Sequence, residues 1–142
     1  MITLRQATTI IDGALAKAAA SSFQPMCVVV LDAGGHLLAL KRDERASISR
    51  PEIATAKAAG CLGMGFGGRE LARRAKLMPD FIASLNQLFP KGLLAVPGGV
   101  LVRDANGALL GAVGISGDTS ENDETCAIAG IATAELIAET GE

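Results

Sequence analysis

The chain has 142 residues, the size of one domain, with 49% hydrophobic and 20% charged residues and a formal net charge of −2; that length suffices to bury about two thirds of the unfolded surface around one core. Thirteen basic and fifteen acidic residues spread along the sequence leave no footprint for a polyanion, and without Trp or Tyr and with only four Phe there is no stacking platform for single strands, so nucleic acid is excluded as a partner. No apolar run approaches the roughly 20 residues of a membrane span, so a soluble protein with no membrane partner is expected.

The amino terminus, Met1 to Gln6, lacks the basic region and apolar core of a signal peptide, which predicts a cytoplasmic location. Thr3 and Gln6 form a capping box, and Leu4, Ala7, Ile10, Ile11, Ala14, Leu15 and Ala18 recur at helical spacing, predicting a helix over 4–20. Met26 to Leu31 is an unbroken apolar run. The turn residues Asp32, Ala33, Gly34 and Gly35 separate it from His36 to Leu40, predicting a β-hairpin. Ser49 and Glu52 form a second capping box around Pro51, opening an Ala-rich helix that runs to Leu62. Gly63, Gly65, Gly67 and Gly68 stop it; a further helix is expected from Arg69 to about Lys76, and a short helical piece over Asp80 to Leu88.

From Leu93 the pattern becomes that of strands. Leu93–Val96, Val100–Val102 and Ala108–Ile115, divided by turns at Pro97-Gly98-Gly99 and Asp104–Gly107, predict a three-stranded meander. Ser120 with Asp123 opens the last helix, whose small residues Ala127, Gly130 and Ala134 would let it lie close to the sheet. Hairpins without alternating β-α crossovers predict an α+β fold, a profilin-like α/β/α sandwich with an antiparallel sheet flanked by helices, as one domain over residues 1–142. With so few charges a monomer would leave apolar surface wet, so a homo-oligomer is expected. Cys27, Cys61 and Cys126 are far apart and set among apolar or small residues, which reads as buried reduced thiols.

Pro97-Gly98-Gly99 and the run Gly111 to Gly117, followed by Asp123 and an Ala-rich helix, resemble the carboxy-terminal signature of the GlcG/HbpS family, the haem-degrading type also called DUF336. Asp32 to Gly35, Arg42-Asp43 with Ala46, and Ala54 with Lys57-Ala58 resemble its hairpin and second helix, so the similarity covers nearly the whole chain. The resemblance implies a five-stranded antiparallel sheet, homo-oligomerisation and, in some members, binding or degradation of haem or binding of a corrinoid.

Among residues that could carry chemistry, Lys57 stands out, because its neighbours at helical spacing, Ile53, Ala54, Gly60 and Cys61, include no carboxylate. Facing inward it needs a distant partner or a ligand, and desolvation would favour a base or nucleophile; otherwise it reaches solvent or pairs with Asp43 or Asp123. Gly98 and Gly99, after Pro97, could aim backbone N–H groups at a carboxylate or oxyanion, joined by Gly117 and Asp118 from the following strand end. A carboxylate-bearing ligand would face Lys57 and Arg42, with Asp123 as proton carrier or orienting group. No His/Cys cluster or calcium-loop pattern supports a metal site. His36, the one histidine, stands at the hairpin turn as a solvated residue or as a haem ligand.

Three functions fit these residues. The first is a small-ligand-binding protein, its ligand a tetrapyrrole (haem or corrinoid) or a small organic acid. The second is a cofactor-free catabolic enzyme, an isomerase, lyase or hydrolase using Lys57 and Asp123. The third is a structural or regulatory oligomer with no small ligand.

Overall fold

Thr3 closes the expected capping box, accepting from the Gln6 amide while the Gln6 side chain accepts from the Thr3 amide, and α1 (Leu4–Ala20) follows with its Ile10, Ile11 and Ala14 stripe wholly buried. The computed structural model describes residues 1–142. The hairpin forms as expected from β1 (Cys27–Asp32) and β2 (Leu37–Arg42), its turn closed by the Asp32 carboxylate, which accepts from the amides of Gly34 and His36. Helix α2 (Arg50–Met64) begins at the expected place with Pro51 in its first turn, but the Ser49 side chain makes no capping hydrogen bond. Its first turn relies on backbone contacts, Arg50 N to Ser47 O and Ile53 N to Ser49 O.

Helices α3 (Gly68–Leu77) and α4 (Pro79–Leu85) form an outlying pair, split where Pro79 forbids continuation. The expected strand at Leu93–Val96 is absent. Leu93 is buried instead against Gly60 of α2 and with Ile82 and Leu85 of α4, so its apolar character serves a local cluster rather than a ladder. Strands β3 (Gly99–Arg103) and β4 (Leu109–Ser116) make a hairpin, and the fifth strand is the three-residue β5 (Ile137–Glu139), which follows α5 (Ser120–Thr133). The meander is thus two-stranded, and the sheet is completed from the carboxy-terminal segment.

The five strands form one antiparallel sheet in the order β2-β1-β4-β3-β5. Alternation sorts their side chains. Val28, Val30, Val100, Val102, Val113 and Ile115 face α1 and α5, whereas Cys27, Val29, Leu31, Leu101 and Ala112 face α2. This is the α+β, profilin-like sandwich the sequence predicts. The small face of α5 serves two neighbours: Ala127 is buried in the cluster that holds Val100, Val113 and Ile115 of the sheet, as expected, while a Cβ on Gly130 would lie 2.3 Å from the Ile10 carbonyl oxygen, so that its close approach is to α1. On the opposite layer, Gly114 lets α2 press onto β4, where a Cβ would lie 1.9 Å from the Ala54 carbonyl oxygen. That tight contact holds the inner stripe of α2 over the end of the β3–β4 hairpin.

Candidate functional site

Lys57 projects from the inward stripe of α2 and is only 4% exposed; Asp123, in the first turn of α5, is 1% exposed. Their side chains meet at 2.9 Å, Nζ donating to Oδ2. The second carboxylate oxygen of Asp123 accepts from the Asp118 amide at 2.9 Å. Asp123 is therefore spent inward, and the cap of α5 is Thr119, whose Oγ1 accepts from the Asn122 amide, not the expected Ser120–Asp123 box. Burial pushes the Asp123 carboxyl above its ordinary value, opposed by the Lys57 hydrogen bond, the Asp118 amide and the charges of Lys57 and Arg50. The carboxyl is thus pulled both ways while it touches the Lys57 ammonium.

Above this pair lies the Pro97-Gly98-Gly99 turn. Gly98 has φ +108, and a Cβ there would stand 2.9 Å from Lys57 Nζ, so only glycine lets the turn close over the ammonium. Gly98 and Gly99 are held by the sheet: the Gly98 carbonyl accepts from Ile115 N, and Gly99 pairs with Gly114. Gly117 packs on Pro25, where a Cβ would lie 2.3 Å from the carbonyl oxygen. Asp118 accepts from the Gln24 and Thr119 amides and from Asn122 Nδ2, which hold its carboxyl below the usual range. The structure thus brings Lys57, Asp123, Gly98, Gly99, Gly117 and Asp118 to one end of the β3–β4 hairpin. In this neighbourhood Asp118 ties loops together, and its own amide is committed to Asp123.

Pro97 faces outward into an open cleft of about 400 Å³ that it shares with Arg69, Arg73, Lys76 and Glu121. Arg69 joins the cleft to the interior through an ion pair with the buried Glu124 at 2.8 Å. Arg42 lies on the same sheet face as the site, but its guanidinium is turned to the backbone carbonyls of Asp43, Glu44 and Ala46. His36 stands at the opposite end of β1 from Cys27 and Ser116, roughly 16 Å away at about 3.3 Å per strand residue. It is exposed and does not join Lys57 and Asp123. The three cysteines are buried free thiols whose pKa values burial raises to about 11 for Cys27, about 12 for Cys61 and about 11 for Cys126, which keeps them neutral and unreactive.

Two residues of this neighbourhood escaped the sequence reading. Arg50, the first residue of α2, donates from Nη1 to Ser116 Oγ at 2.9 Å, and Ser116 is fully buried. Arg50 precedes Lys57 by two helical turns, so their spacing alone places them on one stripe. Ser116 carried only a weak signal, its alternation with the inward Gly114 and Ala112.

Comparison with known proteins agrees with this layout. The family described as haem degrading protein HbpS-like matches residues 2–132. Among solved structures, PduOC in its heme complex superposes with a TM-score of 0.84 at 23% identity over 99% of both chains, a likeness of fold. HbpS follows with 0.79 at 29% identity, covering 92% of this chain and 88% of that one. The Klebsiella pneumoniae protein ORFY gives 0.80 at 27% identity, covering 94% and 90%. No curated protein matches the chain. Matched along almost its whole length and carrying the fold and glycine segments that the resemblance implied, the chain belongs to the HbpS-like family.

Proposed function

We propose that the chain is a small-ligand-binding protein whose ligand is a tetrapyrrole or a small organic acid, bound where α2, the Pro97 loop and the start of α5 meet. The observation that carries this reading is the Lys57–Asp123 pair, two opposite charges withdrawn from water beneath a turn that only glycine can make. A buried ion pair is a poor device for stability, since apolar residues of similar volume often serve as well. Its presence here is better accounted for by work on a ligand. The tetrapyrrole side of the reading is supported by the family description and by the heme held by PduOC; its propionates would turn to Lys57 and Arg42. The organic-acid side is supported by the buried Lys57 ammonium, a cation that a carboxylate would answer.

The raised carboxyl of Asp123 favours a second reading, a cofactor-free isomerase, lyase or hydrolase in which Asp123 carries the proton and Lys57 orients it. In either case we infer a cytoplasmic homo-oligomer, supported by three free buried thiols and by exposed Leu37, Leu40 and Ile48 around the uncovered edge strand β2.

The experiment is titration of the wild type and Lys57→Met with haem, followed by absorbance, and with small carboxylates, followed by calorimetry. Stoichiometric binding of one class that is lost in a folded Lys57→Met supports the site; equal binding by the variant refutes it.

A further inference from the structure

We infer that the cleft on the outer side of the Pro97 turn binds a small zwitterion of the amino-acid class, its ammonium received by the buried carboxylate of Glu124 and its carboxylate by the cations of α3. The Pro97-Gly98-Gly99 turn divides this cleft from Lys57 and Asp123, and the inference does not rest on the function proposed for that pair.

Glu124 is answered on one oxygen only. The residue is 5% exposed, and Nε and Nη2 of Arg69 both donate to its Oε1, at 2.9 and 2.8 Å. Oε2 is buried and accepts from nothing, alone among the buried side-chain oxygens and nitrogens of the chain. Arginine and a carboxylate commonly close as a fork, two N–H groups on two oxygens, so crowding both donors onto Oε1 leaves half of a buried anion unanswered. Such an acceptor is costly, and it calls for a donor brought from outside the chain.

Arg69 stands between that oxygen and the solvent. Its side chain is 33% exposed and lines the open cleft of about 400 Å³, while the same guanidinium holds Glu124. A small rotation would release one of the two N–H groups on Oε1 to a guest in the cleft and open Oε2 to the guest's own donor. The buried carboxylate favours an ammonium as that donor.

The cleft also supplies the opposite charge. Arg69, Arg73 and Lys76 recur at helical spacing along one face of α3, and Glu121 of α5 and Glu142 add carboxylates to the lining. Arg73 is engaged by Glu70 and the Gly141 carbonyl, whereas Lys76, Glu121 and Glu142 have no ion pair. The other charges on the elements that meet here are closed: Arg74 with Glu70, Arg103 with Glu139, Lys57 with Asp123, and Asp118 on the amides of Gln24 and Thr119. Unspent groups of both signs thus line one cleft. A ligand of a single sign would be repelled by some of them; a molecule with an ammonium and a carboxylate has a partner for each.

The test is calorimetric titration with L-alanine, with N-acetyl-L-alanine, which lacks the ammonium, and with L-alaninamide, which lacks the carboxylate. The proteins are the wild type, Glu124→Gln, Lys76→Gln and Lys57→Met, each checked for folding by circular dichroism. L-alanine should bind the wild type, and capping either end should weaken it at least about tenfold. Glu124→Gln keeps a carbonyl oxygen for Arg69 but puts a donor where Oε2 was, so affinity should fall at least about tenfold. Lys76→Gln alters an exposed residue without an ion pair, should fold, and should cost about threefold. Carbon NMR of the Glu124 carboxyl should shift when alanine is added to the wild type, a readout that stands even if Glu124→Gln fails to fold. No binding by the wild type, equal binding of a capped form, or a Glu124 signal that alanine leaves unmoved overturns the proposal and makes an internal water the donor to Oε2. Loss of alanine in a folded Lys57→Met, with full binding by Lys76→Gln, would seat the ligand on the buried pair and overturn it equally.

Discussion

The backbone of Gly98 crosses the ammonium of Lys57 so closely that a Cβ at position 98 would lie 2.9 Å from Nζ and 3.2 Å from the Ile115 carbonyl oxygen. Gly98→Ala must therefore strain a backbone at φ +108 and also displace a buried cation. Its cost should be about 1–3 kcal/mol for the backbone alone, with more from the displaced pair. Gly107→Ala is the control, since Gly107 has φ +83 but open space around its Cβ position. Urea unfolding should show the larger loss at position 98. Equal losses would mean that Lys57 yields freely.

The Lys57–Asp123 pair should behave as a coupled unit. Lys57→Met leaves a carboxylate buried without its cation, and Asp123→Asn leaves the cation without its carboxylate while keeping an acceptor for the Asp118 amide. Each single change should destabilise by about 3–5 kcal/mol, and the double variant by clearly less than the sum. Additive losses in a double-mutant cycle would show that the two charges do not interact appreciably.

Asp123 should titrate above the ordinary carboxylate value of 3.8. Because its folded pKa is raised, the folded state holds the proton more tightly than the unfolded chain, and that contribution to stability fades as pH rises from 3.8 through the folded value. Lys57 opposes the rise, so Lys57→Met should move the midpoint further up. The deficit of the variant should then be larger at neutral pH than at acid pH. Carbon NMR of the Asp123 carboxyl gives the midpoint directly; a lower midpoint in Lys57→Met would contradict the assignment.

Strand β2 is a sheet edge on which Leu37 is 59% and Leu40 37% exposed, because α2 covers the neighbouring strands and leaves this face open. Burial of such an edge between subunits removes both its apolar surface and its unpaired backbone groups. Sedimentation velocity at micromolar concentration should give a species heavier than 14.4 kDa, and Leu37→Lys with Leu40→Lys should lighten it. A wild-type monomer would refute the expectation.

Much of this architecture was legible where local rules and tertiary packing agree. The Thr3–Gln6 box and the Asp32 turn follow from short-range spacing, whereas the direction of Lys57, inward or to solvent, is decided only where α2 docks on the sheet. Leu93–Val96 misled because an apolar run reads alike whether it pairs in a ladder or, as here, fills a pocket against Gly60. The β5 strand was missed because three residues offer no periodicity, and it begins just after Glu135 turns the chain at φ +59. Five strands were expected and five are present, with one exchanged. The partner of Lys57 could be narrowed to Asp43 or Asp123 by chemistry, but choosing between them took the fold, which gives Asp43 to Arg45. Spacing puts Arg50 on the stripe of Lys57 and alternation puts Ser116 on the inner face, but their contact depends on helix docking over the sheet, which no local pattern encodes.

Haem should bind weakly, and without His36. Axial ligation draws on His, Cys, Met or Tyr, and the chain has no Tyr and one His. That histidine is exposed at the far end of β1, roughly 16 Å by strand rise from the end that carries Ser116. The three cysteines are buried with thiols held neutral. A tetrapyrrole at the Lys57 end would thus rest on apolar contact and on Lys57 or Arg42 meeting its propionates, interactions that hold the ring but leave the iron without a strong protein ligand. The expected titration is a broad, weak Soret change that is the same in His36→Ala and smaller in Lys57→Met. A sharp, stoichiometric shift that disappears in His36→Ala would place the haem at the hairpin turn and separate haem binding from the Lys57–Asp123 site.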